Sequence, residues 1–260
     1  MHHNDRQGKS HFHDVIDQNL DVVDARRLEL DLAKERYVRR IVGGILDLEL
    51  DLALAEEKPS AMLARLQELE LLAVIHPDLV WKDELEPILE ATRNGKPDPA
   101  WKLPEKVGHT ALPRALAYLV WLGSLHPDSG LAIATRLRLN GDIINALQGL
   151  FDTWLKLREL LAESPSQVVV RLESVPVVSL YALYLLYPTG EIRRLLQEYA
   201  LHWKNIQPKT DGDALRILGI PPSPAYHQIL NTLRGAWLDG KISTDQEEKA
   251  LLQDLIKSYE

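Results

Sequence analysis

The chain has 260 residues, with 30 Lys and Arg against 38 Asp and Glu, giving a formal charge of −8. At 45% hydrophobic and 26% charged it is an ordinary globular mixture, long enough for one large domain or two small ones with a buried core. The absence of cysteine excludes disulfides, thiolate zinc sites and cysteine nucleophiles. No apolar run nears the roughly 18 residues that cross a bilayer, and the opening Met1-His2-His3-Asn4-Asp5-Arg6 lacks the apolar core of a secretion signal. A soluble, cytoplasmic protein without a membrane partner is expected. Between Asp14 and Glu57 stand 12 acids and 6 bases. That balance argues against strong nonspecific duplex binding, yet leaves room for a local basic strip in the C-terminal half.

Residues 1–13, with His2, His3, His11 and His13, read as a disordered tail rather than a metal site. Residues 14–110 form an N-terminal helical part. From Val15 to Glu57 there is no proline, and Gly43-Gly44 is the one glycine pair. Leu46, Leu48, Leu50, Leu52 and Leu54 alternate as a strand would, but the flanking Leu/Arg/Glu composition favours helix. Pro59 opens a helix with Met62, Leu66, Leu69 and Ala73 on one face, stopped by His76-Pro77. Thr92–Thr110, with Pro97, Pro99, Pro104 and Asn94-Gly95, is expected to be an irregular loop.

Residues 111–206 continue as a helical body. Pro113 starts a helix lined by Leu116, Leu119, Val120 and Gly123, with His126-Pro127 as its stop. Asp128 should cap Leu131–Leu139, closed by Asn140-Gly141. Asp142 should cap a longer helix with Ile144, Leu147, Phe151, Trp154 and Leu155 inward. Ser164-Pro165 starts a short helix, and Pro176 opens the almost wholly apolar Val177–Leu186, expected at the centre of the core. Gly190 precedes the stripe Ile192, Leu195, Leu196, Tyr199, Trp203 and Ile206. Residues 207–260 complete the chain: Asp213 leads a short helix to Gly219, and a loop Pro221-Pro222-Ser223-Pro224 follows. Tyr226, Ile229, Leu230, Leu233 and Trp237 form another stripe, stopped by Asp239-Gly240. Thr244 with Glu247 has capping-box spacing before the last helix. With no hairpin signal and no fixed-period repeat, the prediction is an all-α, irregular multi-helix bundle.

No P-loop, GxGxxG, HExxH or GxSxG occurs. His76, His126 and His202 fall at helix ends and read as structural. The run Gly43-Gly44-Ile45-Leu46-Asp47-Leu48-Glu49-Leu50-Asp51 superficially suggests the glycine turn and paired carboxylates that hold metal for nucleotidyl transfer. Glycines and acids are too crowded for an intervening helix, so an acidic helix is the preferred reading. The basic candidates come later: Arg193, Arg194, Lys204, Lys209 and Arg216, near Tyr199 and Trp203. Such cations neutralise phosphates and exposed aromatics stack on bases, but from these residues alone a solvated helix face over a core stripe is the simpler account.

Two stretches carry a family resemblance. Leu66-Gln67-Glu68-Leu69-Glu70-Leu71-Leu72-Ala73-Val74-Ile75-His76-Pro77-Asp78-Leu79 resembles the helix after the neck in bacterial tRNA nucleotidyltransferases and poly(A) polymerases. Thr210-Asp211-Gly212-Asp213-Ala214-Leu215-Arg216-Ile217-Leu218-Gly219-Ile220-Pro221-Pro222-Ser223-Pro224 is similar to that family's tail, where a Gly-Asp-Leu helix enters a Leu-Gly-x-Pro-x-x-Pro loop. Ala236-Trp237-Leu238-Asp239-Gly240-Lys241-Ile242-Ser243-Thr244, then Glu247-Glu248, continues it. The resemblance spans roughly Arg36 to Glu260. It departs at Ser223 and His227, where the family often has glycine. It departs most where the catalytic head is expected: no paired-aspartate strand is found, and Asp24-Ala25-Arg26-Arg27 is too loose for the neck's nucleotide-reading motif.

What the resemblance implies is a noncatalytic body and tail that grips tRNA or another structured RNA by its backbone. Arg193, Arg194, Lys204, Lys209 and Arg216 become its phosphate candidates. No cofactor is expected on this chain; magnesium and CTP or ATP would belong to a separate catalytic head, itself a possible partner. Two alternatives stand beside this: a module docking onto protein through its acidic N-terminal helix, and a degenerate nucleotidyltransferase using Asp47, Glu49 and Asp51.

Overall fold

A helix without a polar side must be wrapped by its neighbours, and Val177–Leu186 is such a helix. The computed structural model describes residues 50–54, 56, 58–218 and 224–257. Its α-helices are, in chain order, α1 Pro59–Glu68, α2 Leu71–Ile75, α3 Glu86–Asn94, α4 Leu112–Gly123, α5 Pro127–Arg136, α6 Gly141–Leu155, α7 Leu157–Leu160, α8 Pro165–Leu172, α9 Val177–Leu186, α10 Gly190–Leu201, α11 Gly212–Ile217, α12 Pro224–Leu238 and α13 Asp245–Lys257. Residues 50–54 are also helical. The histidine tract, Gly43-Gly44, Asp47, Glu49 and most of the proline-rich tail loop lie outside the described residues.

The all-α expectation holds. α9 packs against α4, α6 and α10, and its only hydroxyl away from the tyrosines, on fully buried Ser179, donates to the Ala146 carbonyl at 2.6 Å. That bond removes the cost of carrying a polar atom into the core. α4 is buried from Ala115 through Leu122, a broader face than the expected stripe, because α3, α5, α6 and α9 all pack on it. Trp121 sends its indole N–H to the Val80 carbonyl at 2.8 Å and meets the edge of Trp81, centroids 6.5 Å apart. One apolar cluster runs from Leu50 to Ala200 and includes Leu238; a second joins Leu215, Ile229, Leu233 and Leu252 of the tail.

Several expected details change. Of the alternating leucines, Leu46 and Leu48 lie outside the described residues, and the rest fall in helical phase: Leu50, Ala53 and Leu54 are buried while Leu52 is exposed. The helix opened by Pro59 breaks at Glu70, which adopts a left-handed φ of 57°. Its inward residues are therefore Leu63, Leu72 and Ile75, whereas Met62, Leu69 and Ala73 face outward. The expected loop hides the end of α3 and a small antiparallel hairpin, Lys106–Val107 with Thr110–Ala111, turned at Gly108 with φ of 59°. Pro127 starts α5 itself, so Asp128 sits in its first turn. Asn140 caps α6 by accepting from the Ile143 amide at 2.9 Å, leaving Asp142 inside that helix. Trp154 and Leu155 are exposed because α6 ends there, past its buried run to Thr153. Asp211, not Asp213, caps α11.

Other signals read true. His76-Pro77 ends α2 in extended backbone. Ser164 and Gln167 form a capping box on α8, and Thr244 and Glu247 exchange bonds of 3.2 and 3.0 Å at α13. The helix crossings are tight at Gly130 of α5, where an added Cβ would lie 2.7 Å from Phe151 Cζ and 2.9 Å from the Leu122 carbonyl oxygen. Gly130→Ala should therefore destabilise by about 1–3 kcal/mol in urea unfolding despite alanine's better helix propensity; a stabilised variant would contradict this packing.

Candidate nucleic-acid interface

The five expected cations end up in different chemical situations. α10 begins at Gly190, whose φ of 91° suits glycine, and carries Arg193 and Arg194 in its first turn and a half. Arg193 is turned inward onto α9. It donates to the Tyr184 carbonyl at 3.0 Å and the Tyr184 hydroxyl at 2.7 Å, and its guanidinium carbon lies 3.8 Å from that ring's centroid. Arg194 is exposed and has no ion-pair partner among the described residues. Lys204 stands in the 3-10 turn Trp203–Asn205 after α10, half-buried, with Nζ donating to the Trp101 carbonyl at 3.3 Å. Burial first, and then the charge of nearby Lys102, holds its pKa below the usual lysine value.

Lys209 is exposed, and its backbone is fixed by Glu248 of α13. Arg216 pairs with Asp213 at 3.2 Å on the surface of α11, a contact worth little in water. The aromatics behave as core: Tyr199 is buried, with its hydroxyl pKa pushed up to about 12 by burial and by Glu173, and Trp203 packs against the main cluster. Neither offers a free face like those of base-stacking platforms. The histidines at 76, 126 and 202 cap or flank helices as expected.

Folding also brings into play a cation and a clamp that residue type and position do not reveal. Lys102, in the proline-rich segment, reaches Asn205 Oδ1 at 3.4 Å across 103 positions of sequence. Its adjacency to Trp101 carried no signal by itself. The clamp is Glu248, 1% exposed. It accepts from the Lys209 amide at 3.0 Å, the Thr210 amide at 2.7 Å, the Thr210 hydroxyl at 2.6 Å and the Trp237 indole at 2.5 Å. Arg234 of α12 bonds the Ile206 carbonyl at 2.9 Å and pairs with Glu173 at 2.7 Å. Asp239 receives the Ser166 amide and hydroxyl, each at 3.0 Å. Arg234 and Asp239 thus hold the tail, residues 207–260, onto the end of the body, and Glu248 pins the start of that tail to α12 and α13.

Of the acids once grouped as possible metal ligands, only Asp51 is described. Its carboxylate accepts from the Tyr118 hydroxyl at 2.7 Å and pairs with Arg114 at 3.3 Å. Among the described residues no group of three His, Asp or Glu side chains is set to hold a metal ion. No single described helix is long and apolar enough to cross a membrane; α8 and α9 are bent by 118° relative to each other.

This geometry defines a helical scaffold that carries separated cations in different settings. No family model matches the chain. The chain is similar in sequence to an A-adding tRNA nucleotidyltransferase and in fold to CCA-adding enzymes. It is 28% identical over 242 aligned residues to the A-adding tRNA nucleotidyltransferase of Geobacter sulfurreducens, covering 86% of this chain and 26% of that protein. The solved Thermotoga maritima CCA-adding enzyme complexed with tRNA superposes with a TM-score of 0.58 at 22% identity, over 87% of this chain and 54% of that one. A CCA-adding enzyme complexed with ATP gives 0.57 at 23%, over 87% and 53%. These structural matches establish the helical fold. The chain thus spans about a quarter of the curated relative and about half of the solved ones.

The Glu248 clamp can be tested by pH. Burial pushes its carboxyl up, but the bonds from Thr210, Lys209 and Trp237 outweigh that and hold it below the usual glutamate value. Its stabilisation is therefore present above the ordinary carboxylate range and is lost as pH falls through the folded-state value. Glu248→Gln should lower urea-unfolding stability by about 2 kcal/mol at neutral pH, and the gap to wild type should narrow on acidification. A gap independent of pH would contradict a charged clamp.

Proposed function

We propose that this chain is an RNA-gripping helical region of a tRNA nucleotidyltransferase relative, with tRNA as its partner. The observation that carries the reading is the homology over 86% of the chain to an A-adding tRNA nucleotidyltransferase. The likeness in fold to a CCA-adding enzyme complexed with tRNA supports it. In this reading residues 14–110 and 111–206 are lower neck and body, residues 207–260 are the tail, and the setting is the cytoplasm. Nucleotide transfer, with its magnesium and CTP or ATP, is assigned to a catalytic head and to no described residue.

The mechanism is electrostatic positioning. Exposed Arg194 and Lys209 have no carboxylate partner among the described residues and are the cations best placed to meet phosphates. Arg216 can exchange its weak partner Asp213 for one, while Arg193 serves chiefly to hold Tyr184. Lys and Arg contacts to phosphate fix register and orientation without reading base sequence.

Filter binding of the pure chain to tRNA over a salt series tests this. Each phosphate contact contributes nearly one to the slope of log affinity against log salt, so three or four contacts should weaken binding about 100-fold between about 50 and 200 mM. Binding that is absent at low salt, or indifferent to salt, would remove the proposal.

A further inference from the structure

We propose that Lys102 and Lys204 form a two-pronged site for one backbone phosphate of the bound RNA. The assignment rests on the RNA-binding reading above and adds to it a cation that lies outside the helical strips.

The pairing is built by the fold. Two segments distant in sequence, the 3-10 turn Pro99–Trp101 with the lysine after it and the turn Trp203–Asn205, interlock by crossed bonds: Lys102 Nζ to Asn205 Oδ1 at 3.4 Å, and Lys204 Nζ to the Trp101 carbonyl at 3.3 Å. Their base is rigid. Trp101 is 2% exposed, and its ring lies 5.1 Å from Tyr181 and 5.2 Å from Tyr184, the ring that Arg193 covers. A site that is ordered before the ligand arrives loses less entropy on binding.

The charge is left uncompensated. Arg114, Arg171, Arg216, Arg234, Lys241 and Lys257 each lie within 4 Å of a carboxylate. Lys102 and Lys204 instead rest on neutral oxygens, with no carboxylate partner among the described residues. Two like charges so placed repel, and the lowered pKa of Lys204 records that repulsion beside its burial. Lys102 also holds a left-handed backbone, φ 52°, where glycine would sit without strain. A phosphate bridging the two ammonium groups relieves the repulsion and uses their remaining donors. An acidic peptide would satisfy the charge as well, but a backbone phosphate is the anion that the homology supplies.

The test is the salt slope of tRNA binding for wild type, K102Q, K204Q, the double variant and K102R/K204R, with thermal melts of each. Because both lysines hold one phosphate, the double variant should lower the slope by about one and its affinity by about tenfold or more at low salt, and each single glutamine variant should weaken low-salt binding by a smaller factor. The arginine pair should retain the wild-type slope, which a purely packing role for lysine would not predict. Lys102 is exposed, so K102Q remains decisive even if K204Q fails to fold. Low-salt tRNA affinity in K102Q equal to that of the wild type overturns this site alone. Failure of the wild type to bind tRNA overturns the RNA-binding reading and the site with it.

Discussion

The body is organised by the burial of α9, a helix with almost no polar side chain to offer to water. Ten residues of mostly Val, Leu and Tyr cannot be stable unless other helices cover them, and packing against α4, α6 and α10 buries seven of the ten. Once α9 is fixed, Tyr181 and Tyr184 project from it to receive Trp101 from one side and Arg193 from the other. The positions of the proline-rich segment and of α10 follow from that one buried element. Cationic groups can then occur only at the rim, where segments meet outside the core.

At that rim the protein sorts its charges. Arg234, Glu248 and Asp239 act inward, capping backbone amides and carbonyls where the tail meets α8 and the turn after α10. A buried charge of this kind is tolerable only when its hydrogen-bonding capacity is filled, and Glu248 has four donors. Among the candidate cations, Arg194, Lys209, Lys102 and Lys204 are not spent on carboxylates among the described residues.

How much of this could be read from residues alone depended on punctuation. Where proline or a capping pair marked a boundary, as at His76-Pro77, Ser164-Pro165 and Thr244 with Glu247, local chemistry decided the outcome and the reading succeeded. Where tertiary context decided, it failed. Glu70 takes a left-handed turn that shifts the phase of the following leucines, and nothing local announces it. Asn140 outcompeted Asp142 as a cap; its amide also bonds the hairpin at Val107 and Thr110. The candidate cations were legible as a set, because charge is written in residue type. Their roles were not: Arg193's attachment to Tyr184 and the meeting of Lys102 with residues 204–205 exist only after folding.

In the proposed function a helical frame presents a few separated cations to the phosphates of a folded RNA and reads no particular bases. Competition binding addresses this most directly, with labelled tRNA displaced by a refolded RNA of unrelated sequence but the same tertiary form, or by an unstructured homopolymer of equal length. The folded competitor should displace tRNA at a similar concentration, and the homopolymer only at far higher ones. Equal displacement by the homopolymer, or none by the folded competitor, would contradict it.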